Sequence, residues 1–568
     1  MAAARRFGRC ALFVLLAAAC GIPRPRFTDI RSTVAPEGAI VFVAIDPNGT
    51  TVSEAHLEWG RRPSLENPAT ITFEDDVPRT FVTLPLAEPF TTSWHFQTGQ
   101  PPELVDGEIV DFQVRLVHST PNGGTVSFWS DRHHFVVEGP GQDLPPATPA
   151  PWTLDPATCS DTTVLVGPRP VARDIGTSNA VISADGRFVA FTTITPFDPQ
   201  DLNDATDVYL ADLTTGTVQR VSAFAAGIDT GGSQPAISHD GGFVAFVSET
   251  MFDAAAAPGV NQVYLWDRTT GSVVTRVSDN RGFDMDSGGR APSISQDGRF
   301  VAFVSRARFS ADPQANIDVP QVYLWERNTG NVTASTVTAR VTAQGGTDTD
   351  RGGHAPAVSG DGAFVTFVSR TRFPIDLQAD TNVDQVYLWE RGAGAVVARV
   401  SAQGGTDTDR GGHAPSISHD GRFVAFVSAT RFAVDEQADV EDDQIYLWDR
   451  ASSGGRVVAR ITDNGGVDVD RGGSDPSLSA DGRWVAFVSR SRFPAFETFN
   501  PDYDQVYLWD RSVGGVVAWI SASSHDVDRG GFDPSVSGDG RLTAFSSLTN
   551  FDANFDLNGM VDAYVRCP

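Results

Sequence analysis

From residue 177 onward the hydrophobic positions come in short runs parted by Gly, Asp and Ser, and the whole pattern recurs. One copy reads PSISHDGRFVAFVSATRF, then an acidic stretch, then DQIYLWDR, a turn, and RVVARITDNGG. Its first run, 415–418, leads into Asp420-Gly421, a pair that accepts the positive φ of a tight hairpin. The second, 422–428, is apolar at Phe423, Val424, Phe426 and Val427, so both faces of that strand need cover. The third, 444–450, alternates and sends Tyr446 and Trp448 to one side. The fourth lies near 456–462. The Asp-Gly pair, preceded by an apolar residue, Ser and one variable residue, falls at Asp185, Asp240, Asp297, Asp361, Asp420, Asp481 and Asp539, at spacings of 55, 57, 64, 59, 61 and 58. Seven four-stranded sheets, each covered on both faces, predict a seven-bladed β-propeller.

The seventh copy, from Pro534, runs only as far as a third strand, DAYVRC. A run of the missing kind, TVLVG at 163–167, precedes the first copy and is followed by Asp174-Ile175-Gly176, as fourth runs are elsewhere. This N-terminal strand is expected to complete the last blade. Cys567 ends the third strand of that blade and Cys159 precedes the fourth, so a disulfide would staple the ring where no turn joins the strands.

Residues 27–138 lack the repeat but show strand patterns at 39–46, 55–59, 80–84, 110–118 and 125–137. The stretch VDFQVRLVHSTPNGGTVSFWSDRHHFVV reads as two strands, a Gly-rich turn between them, and a third strand. It resembles the end of a fibronectin type III or immunoglobulin-like sandwich. Residues 139–158, with PPATPAP, form a Pro-rich, stiff linker. The fold expected is all-β: a small β-sandwich at 27–138, the linker, and a propeller over 159–568.

Composition agrees with many turns and little helix: Gly 54, Pro 35 and 40% hydrophobic residues against 20% charged. The net charge of −28 repels phosphate and sets nucleic acid aside as a partner. At the N-terminus, Arg5, Arg6 and Arg9 precede an apolar stretch at 11–18, too short to span a bilayer. Ala17-Ala18-Ala19-Cys20 resembles the bacterial lipobox, which makes residues 1–19 a lipoprotein-type signal peptide and Cys20 the lipidated residue. Ordinary cleavage after Ala19 is the alternative. Of the four cysteines, Cys10 leaves with the signal peptide, and pairing Cys159 with Cys567 leaves Cys20 over, as lipidation requires. The chain is thus expected to cross the inner membrane and remain periplasmic or as an outer-membrane lipoprotein, touching membrane only through its anchor.

The repeat resembles the WD40-like propellers of the TolB type. Their signature, Ser-x-Asp-Gly-x-apolar-Ala-Phe and then an apolar strand ending in Asp, reads here Ser418, Asp420, Gly421, Arg422, Phe423, Val424, Ala425, Phe426, then 445–449. The resemblance spans about 410 residues, is specific for fold, and says little of function. That family includes periplasmic scaffold proteins and the propellers of some peptidases. The extra N-terminal domain and longer blades depart from TolB, whose partners are not carried over.

Chemistry could sit in two kinds of loop. Those linking strand four to the next blade read GGTDTDRGG at 345–353 and 404–412, GGVDVDRGG at 465–473, DVDRGG at 526–531 and FDMDSGG at 283–289. Those linking strands two and three include DLNDATD at 201–207 and DLNGMVD at 556–562; the middle blades carry Asp380 and Asp384, or Asp439 and Asp443, instead. Both kinds emerge on one face, which should carry a ring of carboxylates. Hard oxygens at i and i+2 suit Ca²⁺, and the candidate ligands are Asp348, Asp350, Asp407, Asp409, Asp468, Asp470, Asp201, Asn203, Asp207, Asp556, Asn558 and Asp562. The competing reading is that these acids cap turns and pair with neighbouring arginines such as Arg351 and Arg410.

Catalytic signatures are sparse. No Gly-x-Ser-x-Gly pentapeptide occurs, and the Ser-x-Asp-Gly motif is a turn that only superficially resembles a sialidase Asp-box. His133-His134 is expected to be an exposed strand pair, and His354 and His413 fill equivalent loop positions by duplication. The Tyr-x-Trp pairs (Tyr264/Trp266, Tyr323/Trp325, Tyr387/Trp389, Tyr446/Trp448, Tyr507/Trp509) read as inter-blade core, with sugar stacking as the alternative. The function expected is a monomeric, non-catalytic cell-envelope scaffold whose acidic, calcium-suited face holds a protein or glycan. The alternative is a polysaccharide hydrolase or lyase with carboxylates in the channel, which unique inward-facing acids on one blade would favour. A third reading is adhesion through the N-terminal sandwich.

Overall fold

The structure is a computed structural model. It describes strands between residues 26 and 136 at backbone level. From 153 to 568 it describes side chains as well, apart from 157, 160–161, 168–175 and parts of several loops. The described residues are all-β. The chain divides into two compact units, and Ala147–Asp556 with Met560–Pro568 form the second.

In the first unit, Arg26–Ala35, Gly38–Asp46, Phe90–Gln97 and Arg79–Thr80 make one antiparallel sheet; Val52–Arg62, Ile109–Ser119, Thr125–Trp129 and His133–Val136 make a second. Arg26–Ala35 and Phe90–Gln97 are strands that the pattern analysis did not find; of the strand expected at 80–84, Thr80 lies in Arg79–Thr80 and 81–84 lie outside the described residues. The side chains of His133 and His134 lie outside the described residues.

The second unit holds seven four-stranded antiparallel sheets. Blade 1 is Thr177–Ile182, Phe188–Thr193, Asp207–Asp212 and Thr217–Arg220; blades 2 to 6 open at Ser233, Arg290, His354, His413 and Ser474. Blade 7 takes Phe532–Val536, Thr543–Ser547 and Asp562–Cys567 from one end of the repeat array and Thr162–Leu165 from the other, with Tyr564 opposite Leu165 and Cys567 opposite Thr162. Cys159 and Cys567 are disulfide-bonded, with their Cα atoms 6.0 Å apart. The chain-entropy expression puts the stabilisation from so long a loop at roughly 6 kcal/mol.

Second and third strands are buried on both faces because the blades stack. Phe423–Ser428 is buried at every position, and Tyr446 and Trp448 pack with Val386, Leu388 and Val400 of blade 4. The Tyr-x-Trp pairs are therefore inter-blade core, with Trp325, Trp389, Trp448 and Trp509 each 2% exposed, too deep to stack on sugars. Each tyrosine also meets two phenylalanines of its own blade, as Tyr446 meets Phe426 and Phe432 at 6.1 and 4.6 Å.

The Asp-Gly turns do a second job. Within the turn, Ser418 Oγ and the Arg422 amide both donate to Asp420 Oδ1, at 2.8 and 2.9 Å. Gly421 has φ +63°, and a Cβ there would stand 2.2 Å from Phe364 of blade 4. In blades 2 to 6 the arginine that follows the third strand reaches back to the preceding blade: Arg268, Arg327, Arg391, Arg450 and Arg511 lie 3.9–4.4 Å over Phe188, Phe243, Phe300, Phe364 and Phe423. Backbone hydrogen bonds also join the turns of neighbouring blades in a closed circuit, from Asp185 to His239, Gln296, Gly360, then Asp361 to His419, Ala480, Gly538 and back to Ala184. These turns gird one end of the axis, around which the first strands of successive blades approach one another.

Candidate functional site

The opposite end of the axis carries the loops that the sequence marks as acidic. Each Gly-Gly pair there is held by the last residue of its second strand, as Ser369 Oγ donates to Gly352 O. The acid just before the pair is locked in place. Asp350 accepts from the Gly352 amide (2.9 Å), from Gln321 Nε2 (3.0 Å) and from Arg340 Nη1 (2.5 Å). Asp409 accepts from Gly411, Gln385 and Arg399 in the same way, at 2.9, 3.0 and 2.5 Å. Asp470 accepts from Gly472 at 3.0 Å and pairs with Arg460. The arginine that pairs with each of these three acids is thus the one ending strand four, ten residues upstream. The Arg351 amide donates to Thr371 Oγ1. The calcium-suited carboxylates Asp350, Asp409 and Asp470 already have their charge met by a guanidinium. Asp348, Asp407, Asp468, Asp556 and Asn558 lie outside the described residues.

Blade 1 departs from this scheme. Asp207 replaces the glutamine found at Gln262, Gln321, Gln385, Gln444 and Gln505. Asp207 and Asp201 converge, with Asp198 and Asp229, on Arg220 at 3.0–3.7 Å. Asn203 does not join them; its Oδ1 accepts from the Ala205 amide at 2.7 Å. Asp207 is fully buried and takes a hydrogen bond from Ser222. Burial, with Asp201 and Asp229 nearby, pushes its carboxyl up to about 7 despite that hydrogen bond. Asp286 of blade 2 is held below the usual range: hydrogen bonds from Gln262 and Gly288 and the charge of Arg276 outweigh its burial. In blade 7, Asp562 is buried and accepts from Thr177 Oγ1 at 3.3 Å. Among the described residues, no three carboxylate, imidazole or thiol groups are arranged to hold a metal ion.

The axis itself shows what sequence reasoning missed. In every blade the residue before the proline position of the first strand has a left-handed backbone: Asn179, Gln234, Ala291, Ala355, Ala414, Asp475 and Asp533, with φ from 46° to 52°. First and second strands shift register there, forming a bulge. Such conformations cost about 1–2 kcal/mol each for an L-residue such as alanine. The bulge turns this residue and its predecessor outward at the rim of the axis. His354 and His413 sit there as first residues of strands, not in loops as expected.

Around this rim the repeat's near-identity ends. Blades 3, 4 and 5 carry Arg290, His354 and His413, each followed by alanine; blades 6 and 7 carry Asp475 and Asp533; blades 1 and 2 carry Asn179 and Gln234. All seven side chains are exposed. His413 Nε2 lies 3.4 Å from Asp443, and this contact raises its proton affinity, whereas partial desolvation by the protein around it lowers that of His354. The surrounding protein raises the pKa of Asp533, and Asp475 raises it further.

No protein-family model and no curated protein matches the sequence. Solved structures similar to the chain include the β-propeller domain of the Trilobed protease from Pyrococcus furiosus (14% identity, TM-score 0.41, 69% of this chain and 94% of that one). TolB from Acinetobacter baumannii is also similar (18%, 0.28, 61% and 75%), as are the RRP9 WD40 repeats (12%, 0.40, 72% and 97%). The family of neighbours is that of the β-propeller, and this chain carries a seven-bladed one, sealed by a strand from before its first repeat and charged unevenly around one end of its axis.

Proposed function

We propose that this protein is a non-catalytic binding protein of the bacterial cell envelope, holding a protein or glycan partner at the rim formed by residues 178–179, 233–234, 290–291, 354–355, 413–414, 474–475 and 532–533. One observation carries this reading. Blades that repeat Gln-Val-Tyr-Leu-Trp almost unchanged differ at these positions, where Asn179, Gln234, Arg290, His354, His413, Asp475 and Asp533 are exposed and the backbone is costly. Structural needs alone favour the same residue in each blade. Calcium at Asp350, Asp409 or Asp470 would have to displace an arginine, so it enters as a test, not a component. Lipidation at Cys20 and an envelope location complete the proposal.

The test is capture of partners from envelope extract by the chain and by a variant carrying Arg290→Gln, Asp475→Asn and Asp533→Asn. A partner held by the first and lost by the second supports the reading; equal capture overturns it. A second reading, a polysaccharide hydrolase, is favoured by Asp475 and Asp533: two acids unique to adjacent blades, one with raised proton affinity, as a general acid needs. Release of reducing ends from envelope polysaccharide, lost in Asp533→Asn, would select it.

A further inference from the structure

The rim's charges are ordered as well as unequal. Three blades bearing arginine or histidine are consecutive, then two acidic ones, then two with amides. Neighbours sense one another in sequence. Arg290 and His413 both disfavour protonation of His354; Asp475 favours protonation of His413; Asp475 also raises Asp533. Blades 3 to 5 place the arginine or histidine one residue before the left-handed position and put alanine on it, while blades 6 and 7 place the acid on that position. The two arcs thus come from two different uses of one bulge. Arg290, Asp475 and Asp533 have no counter-ion among the described residues, although Ser474 Oγ donates to Asp475 at 2.8 Å. Opposite charges left side by side, without closing on each other, hold a fixed electric field across the mouth of the axis.

We propose that the rim selects a dipolar peptide segment, with a lysine or arginine side chain on Asp475 and Asp533 and a carboxylate on Arg290. The proposal rests on the reading of the rim as the binding site and names the partner's chemistry. A peptide is the occupant that fits, because a protein segment readily offers both signs within a few residues. An acidic glycan offers only the sign that the Asp475–Asp533 arc repels.

The probes are dye-labelled, end-capped peptides of the form Lys-(Gly)n-Glu with zero to three glycines, and the same peptides with Lys or Glu changed to Ala. Binding to the full chain is read by fluorescence anisotropy. The best mixed peptide should bind about tenfold tighter than either single-charge peptide, and the margin should shrink as salt screens the field. Asp475→Asn with Asp533→Asn should lower it to the level of the Glu-only peptide, and Arg290→Gln to that of the Lys-only peptide. Both aspartate changes suit the fold, since asparagine tolerates positive φ and already stands there as Asn179. An unchanged unfolding midpoint confirms it. Mixed peptides no tighter than the better single-charge peptide, or insensitive to the aspartate changes, would overturn the proposal. If the envelope partner is nonetheless lost on rim substitution, the rim binds but does not read a dipole. If neither test responds, the rim is not the site.

Discussion

Asp207 offers a direct check on the electrostatics of the blades. Five blades hold glutamine at this position, its Oε1 taking a hydrogen bond from Ser278, Thr342, Ser401, Thr462 or Ser521 at 2.5–2.6 Å. Blade 1 puts a buried carboxylate there, beside Asp201 and Asp229, with Arg220 as the one cation paired with them among the described residues. Asp207→Gln restores the common residue; its Oε1 can accept from Ser222, and its Nε2 can donate to Asp229 as Gln262 Nε2 does to Asp286 at 2.9 Å. The sign follows from proton uptake. The folded carboxyl titrates at about 7 and the unfolded one near 3.8, so the folded state holds the extra proton in between. Stability therefore falls as pH rises from 3.8 to 7 and is level above it. That difference corresponds to about 4 kcal/mol at 1.36 kcal/mol per pH unit, an upper figure because water and side-chain relaxation reduce it. Calorimetric unfolding of wild type and Asp207→Gln at pH 5 and pH 8 should show the variant gaining stability over wild type at pH 8, with most of that gain gone at pH 5. A difference between the two proteins that does not change with pH would refute the account of this cluster.

Four further outcomes are expected. Replacing Cys159 and Cys567 by serine should lower stability by up to roughly 6 kcal/mol, read as a drop in unfolding midpoint and as proteolysis near residue 162. Arg340→Met should cost about 1–3 kcal/mol by leaving the partly buried Asp350 without its guanidinium, measured by urea unfolding. Gly421→Ala should cost about 1–3 kcal/mol, from the left-handed φ and the contact with Phe364, where Gly394→Ala, with open space around it, should cost only the strain. Exchanging EDTA for millimolar Ca²⁺ should leave the midpoint unchanged, since guanidinium groups hold Asp350, Asp409 and Asp470; a rise worth about 2.7 kcal/mol would put the ion back in these loops.

The propeller was legible because its signals are local and recur seven times. Hairpin turns at Asp-Gly, apolar runs covered on both faces and the displaced fourth strand each follow from short-range pattern, and the Cys159–Cys567 staple follows from where strands end. The first unit was less legible: Arg26–Ala35 and Phe90–Gln97 mix Thr, Ser and charged residues with few consecutive apolar positions, so their periodicity is weak. The partner of Asp350 was not legible because Arg340 lies ten residues upstream, on a strand rather than in the loop. The rim was hidden for another reason. Alanine at Ala291, Ala355 and Ala414 gives no hint of a left-handed backbone, which glycine would have advertised. The one readable signal was variation between blades: Arg290 where His354 and His413 stand, and Asp475 and Asp533 where Ala291, Ala355 and Ala414 stand.

The way the ring is sealed also sets a timetable. Thr162–Leu165 leaves the ribosome about 400 residues before Asp562–Cys567, its only hydrogen-bonding neighbour within the blade. At 5–20 residues per second, that is a wait of roughly 20–80 s, during which a short edge and the Cys159 thiol stand without their mates. Six blades can close on themselves in order as they appear, but the circle cannot. Quality control that samples the chain before Cys567 arrives meets an open arc with one unmated strand. Truncations a few residues short of Cys567 should therefore be cleared as unfinished, however well the other blades have formed.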